Sequence, residues 1–258
     1  MPLTMRAKAI RTGLTFAGHA GRAINDLLFP ARCALCDGEL ETAHEPLLCA
    51  ACQFRLVPAA PPRCPRCALT LRQALVTDEG CPQCVGERFH FSRAWTIGDY
   101  AGELREAVLR MKQACEEPLS AALADFAWNR IGAELLAWRP DFVAPVPMHW
   151  LRRWFRGTNS PATLAELLAR RLNCRLAASL IVRRRFTRSQ SGLSPPERLA
   201  NVRGAFRLRR PAKAAGKSML LIDDVLTTAA TTNEIARLLM RAGASAVGVA
   251  VIARADDR

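Results

Sequence analysis

Eight of the ten cysteines arrive as four C-x-x-C pairs: CALC at 33–36, CAAC at 49–52, CPRC at 64–67 and CPQC at 81–84, with gaps of 12, 11 and 13 residues. Two thiolates in one such turn converge on a single ion, and two turns complete a four-sulfur tetrahedron with no position left for substrate. One C-x-x-C is shared with redox sites, but four in fifty-two residues read as a zinc ribbon written twice. Consecutive pairing gives Cys33, Cys36, Cys49 and Cys52 for one structural Zn2+, and Cys64, Cys67, Cys81 and Cys84 for a second. An interleaved cross-brace satisfies the same spacing. The segment has too few large apolar residues to fold unaided, so ligation must supply much of its stability. Cys115 and Cys174 stand alone and are expected to be buried filler. His44, His90 and His149 are not needed as ligands once both shells are closed.

The second stretch with chemistry is LLIDDVLTTAATTNEI, from Leu220 to Ile235. Adjacent carboxylates are costly at the end of an apolar strand, so Asp223 and Asp224 must meet something. A strand that turns into a helix amino terminus offers backbone N–H groups and the positive end of a dipole to a phosphate. Thr227, Thr228, Thr231 and Thr232 add hydroxyl donors. The acids themselves repel phosphate and suit a ribose diol or a divalent ion. Phosphate, diol and metal together describe a phosphorylated sugar.

These residues need a scaffold. FSRAWTIGDYAG at 91–102 alternates as a strand or hairpin, and ELREAVLRMKQACE repeats its apolar residues at helical spacing. Pro118 fits the first turn of a further helix that Pro140 ends. DFVAPVP, SMLLIDDV and SAVGVAVIAR read as strands, PATLAELLARRLN and TNEIARLLMRAG as helices, and SLIVRRRFT as a strand or one arm of a mobile hairpin. Strands alternating with helices imply a mostly parallel sheet with its ligand loops at the carboxyl ends of the strands.

Composition bounds the rest. The formal net charge is +14, and between Arg170 and Arg210 twelve arginines face one acid, Glu197. That field favours polyanions, phosphorylated ligands or nucleic acid. No apolar run is long enough to span a membrane. The first thirty residues are basic, but Gly13, Gly18, His19 and Gly21 break the apolar stretch a secretory signal needs. A short amphipathic helix over 1–30 and a cytoplasmic location are expected.

The ordered set of motifs resembles the ComF/GntX family of competence-associated proteins. It comprises the four C-x-x-C pairs, Lys112 in a helix, PVPMH at 145–149, RGTNS at 156–160, RRRFTRSQSGLSPPER at 183–198, NVRGAF at 201–206 and LLIDDVLTTAAT. The resemblance covers about nine tenths of the chain. It implies a double zinc ribbon at 31–90 and, at 91–258, a type I phosphoribosyltransferase fold, a mostly parallel central sheet flanked by helices and covered by a hood. It further implies that Asp223 and Asp224 hold the ribose hydroxyls of phosphoribosyl pyrophosphate, taken with Mg2+. Thr227, Thr228, Ala229, Ala230 and Thr231 would receive the 5'-phosphate. Lys112, Met148, His149, Arg153, Arg156, Asn159, Arg183, Arg185, Gln190 and Arg198 would face the pyrophosphate or line the hood. The implied function is binding of this donor and transfer of phosphoribose to an acceptor. The alternative is a non-catalytic accessory factor that grips single-stranded DNA, a competence helicase or other DNA-handling proteins, with a vestigial or sensory nucleotide site. Two departures from the family pattern bear on turnover: Ala229 stands where TTGAT has glycine, and RGTNS replaces RGFNQ.

Overall fold

The computed structural model describes residues 31–40, 47–59, 61–71, 80–82, 84, 86–113, 116–147, 160–185 and 194–256. The amphipathic helix expected over 1–30 lies outside them. Among the described residues, five parallel strands form the main sheet: β1 (Arg93–Asp99), β2 (Phe142–Pro145), β3 (Arg175–Leu176), β6 (Ser218–Leu226) and β7 (Ala246–Arg254). Their spatial order is β1-β7-β6-β2-β3.

The near-continuous apolar runs of β6 and β7 follow from burial on both faces. Side chains alternate: Leu220 and Ile222 point to one core with Trp95, Ile97 and Val143, while Met219 and Leu221 point to the other with Ala144, Val247 and Val249. Helices α2 (Gly102–Arg110), α3 (Glu117–Trp138) and α4 (Ser160–Arg171) cover the first face. Helix α6 (Ala230–Arg241) covers the second through Ile235, Ala236 and Leu239. Pro118 sits in the first turn of α3, and Arg139 ends that helix in the left-handed conformation at φ 54°, just before Pro140.

The 91–102 segment proves to be a single parallel edge strand, because β1 pairs with β7 from Arg93↔Gly248 to Asp99↔Arg254. SLIVRRRFT, expected as a strand or one arm of a mobile hairpin, contains the short strand β4 (Ile181–Arg183), which pairs antiparallel with β5 (Phe206–Leu208) away from the main sheet. Between these arms runs α5 (Pro195–Val202), which no apolar period announces. Its sequence signal is Ser194 three residues before Glu197, whose carboxylate accepts from the Ser194 N–H at 2.7 Å and its hydroxyl at 2.6 Å. Among the described residues no helix is long and apolar enough to cross a membrane.

The ribbons are not a separate bead. Cys33, Leu48, Cys52, Leu56 and Val57, the last three on or beside α1 (Ala50–Leu56), belong to the same apolar cluster as Leu104, Leu123 and Leu220. Gly98 permits this contact, since a methyl there would lie 2.6 Å from Leu104 and 3.2 Å from Val57.

Gly248 plays the same part under the aromatic pair. A methyl on it would stand 2.7 Å from Trp95 and 3.1 Å from Trp138, whose rings meet edge to face at 5.4 Å. The core is too dense to yield there, so Gly248→Ala should cost about 1–3 kcal/mol. Urea denaturation monitored by tryptophan fluorescence measures this directly, as a lower midpoint with an unchanged slope.

Candidate functional site

In a parallel sheet every strand delivers its carboxyl end to the same edge. A crevice opens where adjacent strands send their connections to opposite faces. Here β2 leads to α4 on one face and β6 leads to α6 on the other, and the two strands are neighbours, Pro145 lying across from Ile222. Asp223 and Asp224 are the next residues of β6, at the carboxyl end of the strand beside that switch point.

The acid pair is held by its own backbone and by one cation. The Asp224 N–H donates to Asp223 Oδ1 at 2.9 Å, and the Val225 N–H donates to Asp224 Oδ1 at 2.7 Å. Lys112 Nζ lies 2.9 Å from Asp224 Oδ2, with both side chains about four-fifths covered. Lys112 was expected in a helix and instead occupies the turn just beyond α2. That turn is pinned by the Met111 carbonyl, which accepts from the buried hydroxyls of Ser160 at 3.1 Å and Ser120 at 3.4 Å. Ser160, a departure from the family pattern by sequence, thus fixes the turn that delivers Lys112. Burial, and then the negative charge of Asp224, pushes the Asp223 carboxyl well above the usual carboxylate range. The Asp224 amide and Lys112 oppose that push.

Beyond the acids, Leu226 closes β6 and the turn Thr227-Thr228-Ala229 feeds α6. Ala229 is the helix N-cap, at φ 61°, ψ 6°. The turn therefore adopts the left-handed geometry that glycine serves elsewhere, and an alanine there costs about 1–2 kcal/mol. The Asn233 N–H donates to the Ala229 carbonyl at 2.8 Å, an intrahelical bond that starts the helix at the N-cap. The Thr228 hydroxyl is buried with no hydrogen-bond partner among the described residues. A buried orphan hydroxyl beside a helix amino terminus is a donor waiting for an acceptor.

Among the other expected residues, Arg183 lies in β4 with its guanidinium 5.3 Å over the Phe206 ring. Arg185 donates to the Asn201 carbonyl at 3.2 Å and the Arg203 carbonyl at 2.8 Å, which ties the two ends of the hood together. Arg198 is part of α5. Met148, His149, Arg153, Arg156, Asn159 and Gln190 fall outside the described residues.

The cysteines form two closed clusters in consecutive pairing, and the cross-brace is excluded: Cys33, Cys36, Cys49 and Cys52 in one, Cys64, Cys67, Cys81 and Cys84 in the other. The ligand atoms of each set lie within 4.8 Å of one another, and Sγ–Sγ separations of 3.8 Å recur in both. A tetrahedron with Zn–S bonds of about 2.3 Å has edges of about 3.8 Å, so both donor sets fit Zn2+. Backbone N–H groups of Cys49 and Cys81 point at the sulfurs of Cys33 and Cys64 at 3.4 Å, and Arg55 donates to Cys52 Sγ at 3.1 Å. These donors support thiolate charge. His90 is no ligand; its N–H donates to Asn233 Oδ1 at 2.6 Å. Cys174 is half-buried against the first core.

Sequence reasoning passed over Arg254 and Asn233. Arg254, the last residue of β7, donates from Nε to the Cys67 carbonyl at 2.9 Å and from Nη1 to the carbonyls of Leu226 at 3.0 Å and Thr227 at 2.7 Å. It also contacts the Ala255 carbonyl. Asn233 donates to the Arg88 carbonyl at 2.9 Å. Arg254 belongs to no motif, and Asn233, although inside the 220–235 stretch, is singled out only by its tertiary contacts.

The double zinc ribbon domain family matches residues 24–85, and the phosphoribosyl transferase domain family matches 160–258. Curated relatives span the whole arrangement. The chain is 32% identical over 235 residues to the DNA utilization protein YhgH of Escherichia coli (strain K12), covering 88% of this chain and 99% of that protein. It is 33% identical over 234 residues to the Salmonella typhimurium protein of the same name, with 88% and 99% covered. It is 29% identical over 231 residues to Competence protein F of Haemophilus influenzae, with 88% and 98% covered. The two four-cysteine clusters fall within the range of the first match and at its end, and β3 to β7 fall within the second. The chain belongs to the competence protein F-like (ComF/GntX) family, in which a double zinc ribbon precedes a phosphoribosyltransferase domain.

Proposed function

We propose that this protein binds the magnesium complex of phosphoribosyl pyrophosphate at the carboxyl end of β6 and transfers phosphoribose to an acceptor. The observation that carries the reading is one composite edge: an acid pair, then a left-handed turn with a buried unpartnered Thr228 hydroxyl, then a helix amino terminus. In this reading the ribose 2'- and 3'-hydroxyls donate to Asp223 and Asp224. The 5'-phosphate accepts from the turn between Thr227 and Thr231, including Thr228 Oγ1. Magnesium would enter as part of the substrate, carried on its pyrophosphate.

Chemically, the bond between the anomeric carbon and pyrophosphate breaks as positive charge builds on the sugar. Carboxylates beneath the ring stabilise that charge without themselves forming a bond. Lys112 shifts from Asp224 toward the leaving group when the hydroxyls take its place. Arg183, Arg185 and Arg198 contribute positive potential from the hood. The names of the relatives, DNA utilization protein and Competence protein F, support placing this chemistry in a DNA-handling protein, with single-stranded DNA facing the arginines of 170–210. Titration calorimetry with phosphoribosyl pyrophosphate tests the reading. Binding should appear with Mg2+ and be absent when the zinc-loaded protein is titrated in Mg2+-free buffer; equal heats for donor and buffer in the presence of Mg2+ would reject it.

One observation favours the non-catalytic alternative, namely the strain of Ala229 in the phosphate turn. Ala229→Gly should relieve about 1–2 kcal/mol of left-handed strain and forfeit about 0.8 kcal/mol for a buried methyl. The expected net gain in stability is at most about 1 kcal/mol. Paired urea titrations measure it, and a loss beyond about 1 kcal/mol would show that the methyl packs better than the turn is strained.

A further inference from the structure

We propose that Arg254 is a positioning residue through which the second cysteine cluster holds the phosphate turn in shape. The inference deepens the function proposed above and rests on it for the identity of the ligand. The register puts Arg254 opposite both Asp99 of β1 and Leu226 of β6, at the edge where the ligand loops emerge. From there one guanidinium spans two structures. On one side its acceptor is the carbonyl of Cys67, a ligand of the second cluster. On the other its acceptors are the carbonyls of Leu226 and Thr227, the latter adjacent to the orphan hydroxyl of Thr228.

The second cluster is seated firmly enough to act as a support. The Ala94 N–H donates to the Pro65 carbonyl at 3.0 Å, and Asp99 Oδ1 accepts from Arg63 at 2.8 Å and from Thr70 at 2.7 Å. Its exit is fixed as well. Asn233, in the first turn of α6, accepts from the His90 N–H and donates to the Arg88 carbonyl, in the segment that follows Cys84. All four thiols are buried, so the knuckle is a solid wall behind the turn once its ion is bound. A carbonyl left without its donor would let Thr227 swing, and the amides of the turn would lose their common aim. The ribbon therefore does more than stabilise the chain; it sets the geometry that receives phosphate.

Hydrogen exchange by mass spectrometry on the full zinc-loaded chain decides this without requiring any ligand. Arg254→Ala should retain both zinc ions by metal analysis. Exchange over residues 226–232 should quicken about tenfold or more, the factor expected for losing hydrogen bonds to a charged donor, with β1 and the amino half of β7 unchanged. Affinity for magnesium phosphoribosyl pyrophosphate should weaken by a comparable factor. Cys64→Ser, which opens the cluster with Arg254 intact, should quicken the same peptide. Arg254→Lys, with one compact head in place of a fork, should fall between. Should Arg254→Ala not fold, the lysine variant gives the reading. Unchanged exchange over 226–232 in a folded Arg254 variant overturns the proposal, as does quickening spread evenly across the sheet. If the wild-type chain binds no phosphoribosyl pyrophosphate, the proposed ligand fails, while the exchange result still decides the role of Arg254.

Discussion

Asp223→Asn combined with Asp224→Asn should reduce binding of magnesium phosphoribosyl pyrophosphate by at least about 100-fold. Each carboxylate that accepts from a ribose hydroxyl contributes about 1.5–3 kcal/mol, so losing two removes about 3–6 kcal/mol. Every 1.4 kcal/mol is about tenfold in affinity. Calorimetry measures the loss, and undiminished binding in the double variant would refute the site. The same substitution has an opposite effect on the fold. Burial, followed by the charge of Asp224, holds the Asp223 pKa well above the ordinary carboxylate value of 3.8. Between that value and the raised one, the folded chain keeps a proton that the unfolded chain has released. Stability is therefore fully present below the unfolded value and falls as pH rises through the folded one. Asp223→Asn carries no such titration, so its stability relative to wild type should grow with pH. Denaturation at pH 5 and pH 8 reads the difference. A variant that loses stability relative to wild type between the two would contradict the sign. Function at this edge is thus expected to oppose stability: the charge that grips the sugar is the charge the fold resists.

Removal of zinc should have the larger effect on the fold. Structural zinc contributes about 10–16 kcal/mol in zinc-finger peptides at neutral pH, comparable to the whole stability of a domain. The two clusters should not release it together. In the first, Cys36 is exposed and Cys49 half-exposed, whereas all four thiols of the second are buried. A chelator titration followed by a zinc-sensitive dye should therefore show two phases, the earlier one lost in Cys36→Ser. The first phase should also lower the thermal midpoint of the sheet, because Cys33, Cys52 and Leu56 share a cluster with Leu104 and Leu220. Independent melting of an intact sheet would require 31–90 and 91–258 to behave as separable units. A single release phase would mean the exposed thiols are as well protected as the buried ones.

Lys112 and Arg254 show how far sequence and structure each reach. The cysteine spacing alone named eight ligands, because a C-x-x-C turn is local and zinc chemistry constrains it tightly. The runs Met219–Ile222 and Val247–Ile252 announced strands buried on both faces, and an acid pair directly after the first announced an edge with a ligand. The likeness of the ordered motifs supplied the donor and the hood. Local pattern also missed things. Helix α5 escaped because eight residues with two prolines carry no usable period, and its capping signal is short.

What the residues determined by themselves was therefore local: where metal is gripped, where a strand ends, where a helix begins. Tertiary structure decided which distant pieces meet. Cys67 and Arg254 stand 187 residues apart, and His90 and Asn233 143 apart; no periodicity links such pairs. The register of β1, β6 and β7 brings Arg254 level with Asp99 and Leu226 at one edge, and that register follows from two cores filled from opposite faces of the sheet rather than from any short stretch of chain.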